Sequence, residues 1–138
     1  MRLKTKVAAG LWACFFGWMG AHWWYLGRRH AWAITLLAAV CLGLAARYPV
    51  WYDNPFFFVL FIPMVEGFIE GVVLCLIADE KFGRYFNPGS SQPQATGWGP
   101  VLVAILNTLV GAVLSMFAIA MVVLHVYVAL GWLDGITL

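Results

Sequence analysis

Gly17-Trp18-Met19-Gly20-Ala21-His22-Trp23-Trp24-Tyr25-Leu26-Gly27 stands between two apolar runs and is followed at once by Arg28, Arg29 and His30. Glycine permits a bend in the backbone, and clustered Trp and Tyr mark the boundary between hydrocarbon and water. The stretch is too aromatic for a soluble turn and too rich in glycine for a plain lipid-facing helix. Its flanks decide what kind of turn it is. On the amino-terminal side, Val7 to Met19 is apolar without charge behind a basic lead of Arg2, Lys4 and Lys6. Continued through Tyr25, that run has about 19 residues and a helical length of roughly 28 Å, just enough to span. A cleaved signal peptide also starts this way, but Met19 disfavours the small-residue cleavage pattern. On the other side, Ala31 to Ala46 has about 16 residues, roughly 24 Å, and is short for a bilayer.

Further along, Arg47 to Pro55 combines prolines, Asp53-Asn54 and interfacial aromatics, the chemistry of a turn at headgroup level. Pro55 to Ala78 reads as a span that starts on a proline suited to a first helical position and kinks at Pro63. Asp79 to Gly89 returns to water. Ser90 to Pro100 is a polar, flexible linker. Val101 to Trp132 contains no Asp, Glu, Lys or Arg and is longer than a bilayer requires. It is expected to tilt, break near Gly111 or protrude.

The composition agrees with these runs. The chain has 138 residues, 64% hydrophobic and 10% charged, with eight tryptophans and a mean hydropathy of +0.88. Soluble domains hold roughly a quarter charged residues, so in water this chain would expose a large apolar surface. The fold class expected is all-α and integral to the membrane, a small bundle of three to four apolar helices with the first short or re-entrant. A net charge of +2 without a basic stripe gives no basis for nucleic-acid binding. Cys14, Cys41 and Cys75 sit singly in apolar runs and read as small buried hydrophobes.

Lys and Arg placement separates two topologies. If Val7–Tyr25 crosses, Arg2, Lys4, Lys6 and Arg47 oppose Arg28, Arg29, Lys81 and Arg84, four to four. If the first run dips in and returns, the count becomes seven against Arg47 alone. The second arrangement is favoured, and it requires a bend at Gly17 and Gly20. In both, the amino terminus is cytoplasmic. The basic residues themselves read as topology and headgroup anchors.

Glu66 and Glu70 carry the sharpest chemical signal. Four apart on one helix face, with Glu66 near the middle of the span, they form a candidate intramembrane polar pair. A carboxylate there costs at least about 3 kcal/mol, so at least one acid needs a proton or a partner. Structural pairing with His22, a tryptophan N–H or Arg28/Arg29 leads; ion or proton handling and contact with a partner protein follow. Gly67 and Gly71 add a small-xxx-small face for helix packing. His22, His30 and His125 show no metal-ligand spacing, and no catalytic triad, phosphate loop or redox pair is present. No catalytic residue, metal ligand or cofactor site is expected, and the chain reads as a non-enzyme.

Lys6 to Arg28 resembles the start of a TM2 domain, whose pattern is an alanine-leucine run followed by Gly-x-x-Gly-Ala-His-Arg-Phe-Tyr-Leu-Gly. Gly17, Gly20, Ala21, His22, Tyr25, Leu26 and Gly27 match it position by position. Ile69-Glu70-Gly71-Val72 and then Asp79, Phe82 and Asn87 resemble the end of the domain's last helix and its exit in bacterial members. Trp23-Trp24 replace the family's Arg-Phe, leaving Arg28 or Arg29 as substitutes for that arginine, and Ala31–Pro55 is longer than in a typical member. The resemblance implies a TM2-like membrane domain over residues 1–89, a linker over 90–100 and an additional carboxy-terminal helix over 101–138. It implies a small integral membrane protein, expected in a bacterial inner membrane, and no defined activity. An accessory, assembly or adaptor subunit is the leading expectation, with the lipid bilayer and a homo-oligomer or larger membrane complex as partners. The alternative is a small oligomeric channel or proton-coupled transporter that uses Glu66 and Glu70.

Overall fold

The computed structural model describes residues 3–90 and 97–135 and is helical, with no strand among the described residues. Helix α1 covers Lys6–Phe16, α2 Ala21–Leu26, α3 Ala31–Ala45, α4 Pro55–Val59, α5 Phe61–Leu76, α6 Asp79–Phe86 and α7 Trp98–Ala129. Pro55–Leu76 and Trp98–Ala129 are long and apolar enough to cross a membrane.

The opening stretch is a hairpin. Thr5 caps α1 by accepting from the Ala8 N–H at 3.2 Å. After α1 a single tight turn, Gly17–Met19, leads to Gly20, whose φ of 77° lies in the left-handed region. Gly27 ends α2 in the same region, with its N–H on Trp24 O and the Arg28 N–H on Trp23 O. Those two bonds form a Schellman cap. The chain thereby turns back on itself. The Tyr25 hydroxyl accepts from the Thr5 N–H at 2.9 Å, and Lys4 Nζ donates to Leu26 O at 2.6 Å. Gly17, at the tip, lies against Gly67, halfway along Pro55–Leu76. The first run thus folds back on itself with its tip level with the middle of Pro55–Leu76, the geometry that the seven-to-one arrangement requires. Of the two glycines assigned to the bend, Gly20 supplies the backbone conformation, while Gly17 keeps helical angles and supplies close approach.

Pro63 interrupts its helix upstream of itself. Its ring removes an N–H and crowds the carbonyl four residues back, which belongs to Val59, and α4 ends there. Leu60 bridges the break with a shorter bond to Phe57 O at 3.0 Å. Asn54 caps α4 by accepting from the Phe57 N–H at 3.1 Å, with Pro55 in the first turn.

Helix α7 starts ahead of the expected Val101. It begins at Trp98, with Pro100 still in the first turn, where a missing N–H leaves no bond unmade. It also runs 32 residues without a break at Gly111, about 48 Å. Gly111 instead admits the Phe68 ring, for a Cβ there would lie 2.9 Å from it. Of the expected linker Ser90–Pro100, residues 91–96 lie outside the described residues, as do Arg2 and residues 136–138 of the tail.

Helices α1, α5 and α7 pack as the central unit. Its seam is made of small groups: Ala9, Gly10, Ala13 and Gly17 from α1 and its tip, Gly67, Gly71 and Cys75 from α5, and Ala104 and Gly111 from α7. Small side chains bring backbones close enough for dense van der Waals contact, the attraction that remains when lipid is as apolar as the interior.

Candidate functional site

The hairpin brings α2 against the acid-bearing face of α5. Glu70 collects three donors there. His22 Nε2 lies 3.0 Å from Oε2, Trp23 Nε1 donates to the same oxygen at 2.7 Å, and Arg28 forms an ion pair with Oε1. The Arg28 guanidinium also rests over the Trp23 ring, 4.9 Å from its centroid, a cation–π contact that steers it toward the acid. His22 is 0% exposed. Trp23, one of the two departures from the family pattern, therefore places its own N–H on the acid, and Arg28 supplies the positive charge.

Glu66 stands apart from this arrangement. Its nearest basic neighbour is His22 Nε2 at 3.8 Å, an atom already engaged by Glu70. Its Oε2 is buried and has no hydrogen-bond partner among the described residues, while the side chain as a whole is 42% exposed. Glu66 opens onto a groove of about 450 Å³ with Ile62, Val65, Ile69, Glu70 and Val73. The two acids share a helix face, and Glu66 turns its buried Oε2 inward toward His22 while the rest of its side chain opens on the groove.

The ligating atoms of His22, Glu66 and Glu70 all lie within 4.8 Å of one another. Sequence spacing gives no hint of this set, because His22 comes from a different element. Two features of the set concern its other partners. Glu70 already holds a guanidinium and an indole N–H, and His22 Nδ1 has no partner to orient the ring as a ligand.

The remaining motif residues form a second cluster at the end of the hairpin. Asn87 makes a two-way bond with the Lys4 backbone, accepting its N–H at 2.8 Å and donating to its carbonyl at 2.8 Å. Asp79 pairs with Lys6, whose ammonium also donates to Ile77 O. Lys6 is 5% exposed, so it is an internal ion-pair partner and not the headgroup anchor its position suggests. Phe82, 1% exposed, packs on Ala9, Leu26 and Leu74. Ala21 opens α2 beside Gly20.

Two pairings escape sequence reasoning. Asn107, fully buried on α7, donates to Gly10 O at 3.1 Å and to Val103 O at 2.9 Å, and its side chain fills the space left open by Gly71. Gly71 is thus a seat for an amide as well as a helix contact. His125 meets Asp53 at 2.8 Å and sits edge-on to Phe58, tying the far end of α7 to the loop before α4. A lone polar residue in an apolar helix was the only available signal for either.

The TM2 domain family model matches residues 2–49, which hold the hairpin and α3. The acid-bearing α5 and the Asp79–Asn87 exit lie beyond the matched stretch. No curated protein and no solved structure matches the chain. With two apolar helices of spanning length, the match points to a membrane protein. The chain carries a TM2 domain, placed by that match at residues 2–49.

Proposed function

We propose that this is a non-enzymatic integral membrane protein that serves as an accessory or assembly subunit. Pro55–Leu76 and α7 cross the bilayer, and α1–α2 dips to half depth from the cytoplasmic side. The resemblance to bacterial members supports an inner-membrane location. The observation that carries the reading is the contrast between interior and surface. Interior polar groups close on one another, Glu70 with three donors and Lys6 with Asp79. By contrast, the most apolar window of α7 is only 11% buried. Chemistry within the chain has few free groups, whereas contact with other membrane helices has a large surface.

The test is purification in mild detergent at native expression, with mass measurement and identification of co-purifying chains. A stable hetero-complex is the expected result. Glu66, an acid within Pro55–Leu76 whose side chain lines a groove, favours a second reading, an oligomeric channel or proton-coupled transporter. A solitary homo-oligomer whose ion flux in proteoliposomes disappears in Glu66→Gln replaces the first reading with the second.

A further inference from the structure

The buried Glu66 Oε2 has no hydrogen-bond partner among the described residues, although His22 Nε2 is 3.8 Å away. An ionised carboxylate oxygen can only accept, so in that form this atom needs a donor. The donors close by are already spent. Arg28 is paired with Glu70 Oε1, and the Trp23 N–H is given to Glu70 Oε2. The other elements packed on this stretch of α5 bring no charge. The first run meets it with Ala13 and Gly17, and α7 meets it with Asn107 and Gly111.

His22 does not supply the missing positive charge. An imidazolium donates from both ring nitrogens, yet His22 Nδ1 is buried without a partner, and a buried N–H with no acceptor is unfavourable. The ring is therefore neutral, with its proton on Nε2 and directed to Glu70 Oε2 at 3.0 Å. Charge then identifies what Glu66 lacks. With both acids ionised, Glu66 and Glu70 against Arg28 leave one negative charge over. One added proton brings the set to neutrality, whereas a divalent metal ion leaves one positive charge over. An uncompensated charge of either sign is strongly unfavourable within a span. Glu70 is saturated by its three donors, so the proton belongs on Glu66.

From this we infer that His22, Glu66 and Glu70 form a binding site for one proton, carried by the Glu66 carboxyl and reached from the lipid along the groove of Ile62, Val65, Ile69 and Val73. The same carboxyl is then a modification site for a hydrophobic carbodiimide. A reagent nitrogen takes the carboxyl proton while the carboxyl oxygen adds to the central carbon, and the acyl group then shifts from oxygen to nitrogen. The product is an N-acylurea that keeps every atom of both reactants. Glu70, ionised against Arg28 and only 12% exposed, has no proton to give. The site stands under either reading of function, because a bound proton need not be transported.

The test uses the full-length protein in phosphatidylcholine vesicles at neutral pH, with two readouts. Infrared difference spectra between wild type and Glu66→Gln, a neutral replacement of nearly the same shape, are expected to show the carbonyl stretch of one protonated carboxyl that the variant lacks. Dicyclohexylcarbodiimide followed by peptide mass spectrometry is expected to place one N-acylurea on Glu66 and none on Glu70. That labelling should be lost in Glu66→Gln and should fall as the pH is raised and the carboxyl ionises. Absence of the protonated-carboxyl band overturns the inference, as does a band that survives Glu66→Gln. Labelling of Glu70 in place of Glu66 overturns it as well. A band without labelling overturns access from the groove. Nitrogen-15 spectra with both His22 ring nitrogens protonated place the proton on the ring and refute the assignment. Stoichiometric zinc binding that is lost in Glu66→Gln makes a metal ion the occupant and also overturns it. Ion flux in proteoliposomes is a separate measurement, so its absence removes the transporter reading and leaves the proton site standing.

Discussion

Gly17→Ala tests the contact on which the hairpin depends. Gly17 has φ −59° and ψ −38°, angles that alanine adopts freely. On backbone preference alone, the change should stabilise by about 0.5–1 kcal/mol. Packing reverses the sign. The new Cβ would lie 2.9 Å from Gly67 Cα and 3.6 Å from the Gly67 carbonyl carbon. Carbon atoms rest at about 3.5–4.0 Å, so the tip of the hairpin and α5 must part by roughly 0.6–1.1 Å. No rotamer can relieve this, because the opposing atoms are backbone. A gap of about 0.5–1 Å forfeits a quarter to a half of each contact energy along the seam, which includes Ala13 and Gly10. Overpacking of this kind costs about 1–3 kcal/mol, and about 2 kcal/mol is expected. Gly83→Ala is the internal control, since nothing lies within 4 Å of a Cβ there. In α6 it should stabilise by about 0.5–1 kcal/mol. The assay is denaturant unfolding at fixed detergent composition, followed by tryptophan fluorescence. The two substitutions should move the midpoint in opposite directions. If Gly17→Ala unfolds at or above the wild-type midpoint, the two backbones do not touch and the half-depth turn is wrong.

Three further outcomes follow from the same contacts. Asn107→Ala removes the amide between α7 and Gly10 O and should destabilise by about 1–2 kcal/mol, measured by the same unfolding assay. Phe82→Ala empties the contact with Ala9, Leu26 and Leu74 and should cost about 3–5 kcal/mol, seen as early protease cleavage within α6 as denaturant rises. Single-cysteine labelling in sealed vesicles checks topology, using a membrane-impermeant reagent at exposed positions. Leu3→Cys, at an exposed position, and Arg29→Cys should react from one side and Tyr52→Cys from the other; labelling of the first two from opposite sides means that the first run crosses.

Local features were legible in the sequence because their causes are local. Gly20 and Gly27 occupy left-handed positions that only glycine fills cheaply, and Asn54-Pro55 is a helix start in any context. The return of the first run could be read from charge, because Lys and Arg placement responds to the membrane. Packing faces were another matter. Helix α7 is apolar nearly all round, so its periodicity names no inner side, and nothing near Gly111 indicates that Phe68 will lie against it. Lys6 has the look of a headgroup anchor until Asp79, far along the chain, is brought to it.

Glu66 and Glu70 show where this limit matters for function. The two acids have the same chemistry, each is followed by a glycine, and they lie one helical turn apart. Pattern alone therefore assigns them one role. They acquire different surroundings because the hairpin ends where it does. Gly27 stops α2 so that Arg28 and Trp23 reach Glu70, while Glu66 Oε2 lies 3.8 Å from His22 Nε2. The glycine spacing of the TM2 motif thus does more than bend the chain: Gly27 sets where α2 ends, and with it which of two chemically equivalent acids receives the Arg28 and Trp23 donors.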